Sequence, residues 1–177
     1  MAIIRTLQAE DADRLLQFEC ENRAWFEQTI LPRPESVYSP AGIVTHIEEC
    51  LDGLARGTFH PCILVEEVEG AENGGAIVGR ANLKNIDAAA SSTEIGYRIA
   101  ERCTGKGLAT AAVAHLMELA YGRWKLARIL AYVTVENPAS ARVLERSGFD
   151  RIALIPNRSA MPHKLLDCYE YLHCASV

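Results

Sequence analysis

The sequence predicts a mixed α/β (α+β) fold, a central sheet with helices on both faces. Three observations carry that reading. Two β-rich stretches, 62–68 and 76–83, flank a turn rich in Gly, Asn and acidic residues, which is the pattern of a hairpin. Residues 93–99 alternate, with Ile95, Tyr97 and Ile99 on one face and Glu94, Gly96 and Arg98 on the other. Beyond residue 100, helical and strand patterns take turns.

Taken in order, residues 3–7 read as a short strand. The acidic residues Glu10, Asp11 and Asp13 suit the first turn of a helix that runs towards Phe26. Leu31-Pro32-Arg33-Pro34 breaks it. A second helix is expected from about 45 to 56, because Ile47, Leu51 and Leu54 fall at helical spacing. The hairpin follows, then a small polar loop over 87–92 and the alternating strand. A helix from Leu108 to about Tyr121 has Ala109, Ala112, Val113, Leu116 and Ala120 on its apolar side. Residues 128–135 are β-rich. Asn137-Pro138 opens a further helix, which stops at Ser147-Gly148. Residues 149–155 and 166–172 read as closing strands joined by a loop containing Pro and Arg. The order is β–α–α–β–β–β–α–β–α–β–β, and residues 1–177 are expected to form one domain.

The composition, 49% hydrophobic and 23% charged, is ordinary for a soluble globular protein. No apolar run approaches the roughly 20 residues that span a bilayer. The N-terminus lacks the pattern of a secretory signal, so a cytoplasmic location is expected, with no membrane partner. A formal net charge of −5 argues against nonspecific nucleic-acid binding and weakly favours cationic partners such as amines. The six cysteines contain no CxxC pair and are expected as reduced thiols. The five histidines show no ligand spacing, so no metal is expected.

The most informative segment is Arg102-Cys103-Thr104-Gly105-Lys106-Gly107, between a strand ending at Ile99 and a helix starting near Leu108. Gly105 and Gly107 let the backbone approach a ligand and adopt positive φ. A helix N-terminus presents free N–H groups and partial positive charge, and Arg102 and Lys106 add full charge at its edge. This is an anion site suited to a pyrophosphate, or else simply a tight strand-to-helix connection. It is neither a Walker A loop nor a GxGxxG dinucleotide fingerprint.

Arg102-x-x-Gly105-x-Gly107-Leu108-Ala109 resembles the R/Q-x-x-G-x-G/A motif of the GNAT N-acetyltransferase superfamily. Asn137-x-x-Ser140-x-x-Val143-Leu144-Glu145-x-x-Gly148-Phe149 is similar to the helix and turn of its subgroup that acetylates ribosomal-protein N-termini (RimJ/RimL-like). Asn22-Arg23-Ala24-Trp25-Phe26 and Pro32-Arg33-Pro34 resemble the same subgroup. The resemblance implies a mostly antiparallel sheet of about six to seven strands, splayed near the acetyl-CoA site and flanked by about four helices.

It also implies acetyl-CoA as cosubstrate. Backbone N–H groups of Thr104, Gly105, Lys106, Gly107, Leu108 and Ala109, with Thr110 just beyond, would hold its pyrophosphate. Backbone of Tyr97, Arg98 and Ile99 would pair with the pantetheine amides. Asn137 would reach the pantetheine arm, a role compatible with capping its helix. Glu94 is the implied general base, directly or through water, and Ser140 the acid, since Leu144 stands where many family members carry a Tyr. Tyr169 and Tyr171 are alternatives near the cleft. Trp25, Phe26, Arg33 and His163 are candidates for the acceptor pocket, with core packing an alternative for the two aromatics and a plain loop position an alternative for His163. The implied acceptor is a protein N-terminal amine, with a small amine as competitor. A noncatalytic acyl-CoA-binding module and an ADP-like nucleotide binder are further readings. The protein is expected as a monomer or homodimer.

Overall fold

A computed structural model describes residues 2–68, 70, 75–161 and 164–175. Its elements are β1 (Ala2–Thr6), α1 (Ala12–Glu21), α2 (Arg23–Phe26), α3 (Pro40–Ala55), β2 (His60–Glu66), β3 (Ile77–Asp87), β4 (Ser92–Ile99), α4 (Leu108–Glu118), β5 (Arg128–Thr134), α5 (Pro138–Arg146), β6 (Asp150–Met161) and β7 (Lys164–Cys174). Among the described residues, seven strands form one sheet in the order β1-β2-β3-β4-β5-β7-β6. Each neighbouring pair is antiparallel except β4 and β5. The predicted mixed, mostly antiparallel sheet is therefore the one observed.

The central strands read as apolar runs because both faces are covered. Cys62, Ile63, Leu64 and Val65 of β2 are all buried. Helices α1 and α3 pack together on one face, and α4 and α5 on the other. Leu15, Phe18, Ile43 and Ile47 fill the first layer, and Ala112, Val113, Leu116 and Leu144 fill the second. No helix among the described residues is long and apolar enough to cross a membrane.

Helix α3 begins five residues before the expected start. Ser39 is its N-cap: the Ser39 hydroxyl accepts the Gly42 N–H at 3.1 Å, and Pro40 occupies the first turn. A Cβ at Gly42 would lie 1.8 Å from the Ser36 carbonyl oxygen. Backbone must move to admit it, so Gly42→Ala is expected to cost about 1–3 kcal/mol, read from a urea unfolding midpoint.

The closing strands are longer than the sequence suggests. The expected loop after Ile155 is strand up to Met161. A bulge between Ile155 and Ser159 absorbs Pro156 and the positive-φ residue Asn157, whose N–H is accepted by the Asp167 carboxylate at 2.9 Å. Because β6 is an edge strand, a proline there breaks no ladder.

Candidate active site

The parallel pair β4–β5 is registered only from Ser92 opposite Arg128 to Ile95 opposite Ala131. Beyond that point β4 stays paired with β3 and β5 with β7, so the two strands part. From Gly96 to Ile99 the β5-facing edge of β4 therefore has no strand partner, and backbone polar groups need one. A cleft of about 740 Å3 opens at this gap, lined by residues of β3, β4, β5, α5 and the segment after α2.

At its end β4 runs into a short turn over Glu101–Cys103 and then the glycine turn. Gly105 and Gly107 have φ of 73° and 78°, the left-handed region, and Gly107 caps α4. No protein atom lies within 4 Å of a Cβ built at either, so positive φ alone calls for glycine here. Arg102 is ion-paired with Glu66, which neutralises part of the charge expected at this edge. Lys106 is exposed beside it. Asn22 ties the turn to α1, its Oδ1 accepting the Glu101 N–H at 2.9 Å.

Helix α5 faces the gap from the other side. Asn137 is its N-cap, Oδ1 accepting the Ser140 N–H at 3.1 Å, and Asn137 Nδ2 lies 3.5 Å from Thr29 Oγ1. The Ser140 hydroxyl is 2.8 Å from the Tyr97 phenol. Burial pushes the phenol up to about 12, against the Ser140 hydrogen bond, so Tyr97 is a protonated donor at neutral pH. Leu144 is fully buried beneath them.

The opposite face of β3 and β4 carries a polar stripe. Arg80 stands across from Arg98, Asn82 from Gly96 and Lys84 from Glu94. The Glu94 carboxylate pairs with the Lys84 ammonium and accepts from Asn85 Nδ2 at 3.3 Å. All six stripe residues line the cleft, which thus reaches through the sheet from the Tyr97–Ser140 side to the α1–α3 side.

A family model described as "Acetyltransferase (GNAT) domain" matches residues 2–150. This chain belongs to the GNAT acetyltransferase family. The "Probable N-acetyltransferase YjcK" of Bacillus subtilis (strain 168) is 32% identical over 150 residues, 84% of this chain and 80% of that protein. The "Ribosomal-protein-serine acetyltransferase" of Escherichia coli (strain K12) is 26% identical over 135 residues, 76% of this chain and 71% of that protein. A solved structure described as RimL, a ribosomal L7/L12 alpha-N-protein acetyltransferase in complex with coenzyme A, superposes with a TM-score of 0.86 at 21% identity, covering 97% of this chain and 92% of that one. The protein is an N-acetyltransferase of the GNAT type.

In this GNAT acetyltransferase the sequence candidates divide by place. Glu94, Tyr97, Arg98, Asn137 and Ser140 line one cleft, whereas Arg102, Thr104, Gly105, Lys106 and Gly107 form an exposed turn beyond Ile99, followed by Leu108, Ala109 and Thr110 in the first turn of α4. Of the acceptor candidates, Arg33 lines the cleft. Phe26 is core, its ring 5.5 Å from that of Phe18, and Trp25 packs against the core. His163 lies outside the described residues. Tyr171 is fully buried and donates to Glu145 at 3.0 Å, and Tyr169 lies under the Arg151 guanidinium. Neither lines the cleft: Tyr171 is buried in the core, and Tyr169 is half-buried against it. Tyr132 of β5 is the second cleft tyrosine, covered by the Arg158 guanidinium at 3.5 Å and donating to Glu170 at 2.7 Å.

The group that sequence reasoning missed is Glu19. It is fully buried on α1, and Arg33, Arg80 and Arg98 each place a nitrogen 3.1 Å from its oxygens. Arg80 is also 2.9 Å from His46 Nε2. Burial alone would raise the Glu19 carboxyl, but Arg98, Arg33 and Arg80 outweigh it and hold it at about 2. His46 is pushed down to about 3, chiefly by burial and then by Arg80 and Arg33, and so is neutral near pH 7.

Proposed function

We propose that this GNAT enzyme takes acetyl-CoA as donor and passes the acetyl group to a primary amine by direct attack in a ternary complex, a protein N-terminal amine being the acceptor. The observation that carries the reading is the strandless edge of β4 from Gly96 to Ile99, continuous with the glycine turn at the mouth of α4. An extended amide-bearing arm can add to that edge while its diphosphate meets the helix N-terminus. Backbone of Tyr97, Arg98 and Ile99 takes the pantetheine amides. The N–H groups from Thr104 to Thr110 take the pyrophosphate. Asn137 keeps an amide group near Thr29 for the arm while its oxygen caps α5.

Glu94 accepts the proton of the incoming ammonium, directly or through a water. The amine nitrogen then attacks the thioester carbonyl carbon, and a backbone N–H in the gap stabilises the oxyanion. As the carbon–sulfur bond breaks, the thiolate takes a proton from the Ser140 hydroxyl, the Tyr97 phenol behind it replenishes Ser140, and the surplus proton that the nitrogen sheds on becoming an amide returns through water to Tyr97. Two acid groups in series compensate for Leu144 in place of a tyrosine. The ribosomal-protein acetyltransferases among the relatives support a protein N-terminus as acceptor. Residues 1–177 act in this reading as one catalytic domain.

Titration calorimetry with CoA tests the donor site, and thiol release with peptides beginning in Ser or Ala, beside a panel of small amines, tests the acceptor. Heat of CoA binding and release with the peptides are expected. Absence of CoA binding overturns the donor reading, and release with small amines alone overturns the acceptor.

A further inference from the structure

On the α1–α3 side of the sheet the cleft holds more positive charge than the protein neutralises. Three guanidinium groups, Arg33, Arg80 and Arg98, face one carboxylate, Glu19, leaving an excess of two positive charges. Arg80 is 1% exposed and Glu19 0%, yet the Arg33 and Arg98 side chains keep 16% and 13% of their surface, and all three arginines line the cleft. Two further ionisable groups touch Arg80, His46 at 2.9 Å and the Cys50 thiol at 3.9 Å. His46 is neutral near pH 7 and burial raises the Cys50 thiol so that it stays protonated, and neither supplies compensation. Charges removed from water without a full complement of opposite sign are costly, so such a cluster calls for an anion.

Hydrogen-bonding capacity is incomplete at the same place. Arg80 Nε and Asn82 Oδ1 are buried without a hydrogen-bond partner, and Arg33 Nε meets Glu19 at a distance but not an angle that makes a hydrogen bond. Burial lowers Arg98 to about 10 in spite of Glu19, with Arg33 and Arg80 adding to the fall, as expected where guanidinium groups crowd one another.

The register places this cluster relative to the chemistry. Arg80 and Arg98 stand opposite one another, Asn82 and Gly96 come next, and Lys84 and Glu94 close the row. Four residues of strand separate Arg98 from Glu94, about 13 Å at ~3.3 Å per residue. Between them Gly96 presents no side chain, and Asn82 Oδ1 offers an acceptor.

We propose that Arg33, Arg80 and Arg98 form the acceptor-recognition site of this enzyme and bind an anionic group, a carboxylate or phosphate, carried by the same molecule as the reacting amine and within about 13 Å of it. The inference rests on the acetyl-transfer reading above. Bound along the stripe, an extended peptide with its N-terminal amine at Glu94 brings the side chain of its second to fourth residue to the arginines. Asn82 takes a peptide N–H on the way. The guanidinium forks suit planar, two-oxygen recognition.

The test uses the full chain saturated with acetyl-CoA and two acceptor pairs: the peptide amides Ser-Ala-Glu-Ala and Ser-Ala-Gln-Ala, and 6-aminohexanoate beside 6-aminohexanamide. In the wild type kcat/KM for the acidic member is expected to exceed that for the neutral one by ~10-fold or more. The ratio falls towards one in Arg33→Leu, and Arg33→Lys, which keeps the charge without the fork, lies between. A preference confined to the peptide pair identifies a peptide side chain as the source of the anion, and one confined to the aminohexanoate pair identifies a small acid. A ratio near one in the wild type for both pairs, or a ratio unchanged in Arg33→Leu, overturns the proposal.

Thermal shift on the CoA-saturated protein covers the case in which neither pair turns over or a variant fails to fold. Sulfate, compared with chloride at matched ionic strength, is expected to raise the wild-type Tm more than that of Arg33→Lys. Equal shifts overturn the proposal. Calorimetry with CoA, run in parallel on each protein, tells loss of the donor site from loss of the anion site.

Discussion

Replacing Glu94 by glutamine is expected to lower kcat by about 100-fold or more while CoA affinity stays within about twofold of the wild type. The carboxylate stands in the cleft on the polar face of β4, paired with Lys84 of the same row and accepting a hydrogen bond from Asn85. Glutamine preserves size and accepts the Asn85 hydrogen bond, but it cannot take up the proton that an alkylammonium must lose before its nitrogen attacks. CoA affinity should survive, because the donor site proposed above uses backbone at 97–99 and 104–110, and the Glu94 side chain points to the other face of β4 from Tyr97. The pair of readouts, single-turnover thiol release and CoA titration, distinguishes this role from a structural one. A Glu94→Gln protein with wild-type turnover would remove Glu94 from the mechanism and leave the donor site standing. Ser140→Ala is the weaker companion, since a thiolate is a good leaving group and the Tyr97 phenol remains.

Replacing Glu19 by alanine is expected to cost about 3–5 kcal/mol of folding stability, read from the urea midpoint. The change leaves three arginines clustered around an apolar methyl, with Arg80 1% exposed and unable to turn to water. Acid reproduces part of the same loss. The Glu19 carboxyl is held at about 2, below its ordinary 4.5, so its contribution is present above pH 4.5 and disappears as the pH falls towards 2. His46 and His60 act earlier. They are pushed from 6.5 to about 3 and about 4, chiefly by burial, so the unfolded chain binds protons below pH 6.5 that the folded protein refuses. Stability therefore declines as the pH drops below 6.5, and the Tm at pH 5 is expected to lie below that at pH 7. A Tm constant from pH 7 to 4 would contradict the burial of these imidazoles.

The glycine turn, the proposed donor half of the site, was legible because it is local. Gly105 and Gly107 lie two residues apart, between an alternating strand and an apolar helix, and the positive φ seen at both is what glycine at such a junction announces. Asn137-Pro138 likewise marks a helix start that the structure reproduces, cap included. The arginine cluster, the proposed acceptor half, was hardly legible because it is not local. Glu19 reads as an ordinary helix residue, and its partners Arg80 and Arg98 are 61 and 79 residues further on. The Tyr97 phenol meets Ser140 across 43 residues. No periodicity or spacing encodes such meetings, since they depend on which strands become neighbours. The segment after Ile155 misled for another reason: Pro156 and Asn157 carry turn chemistry, but a bulge on an edge strand accommodates turn residues without ending the strand.

Alternation and turn chemistry in the chain by themselves determined the order of strands and helices, the glycine turn and the capped helix after it, because each depends on backbone preferences over a few residues. Only the tertiary structure decided that β4 and β5 pair for four residues and then part, which opens the cleft. It alone gathered Arg33, Arg80 and Arg98 around Glu19. Strand order and divergence are set by the packing of α1, α3, α4 and α5 on the two faces of the sheet, and that packing is a property of the whole chain rather than of any segment.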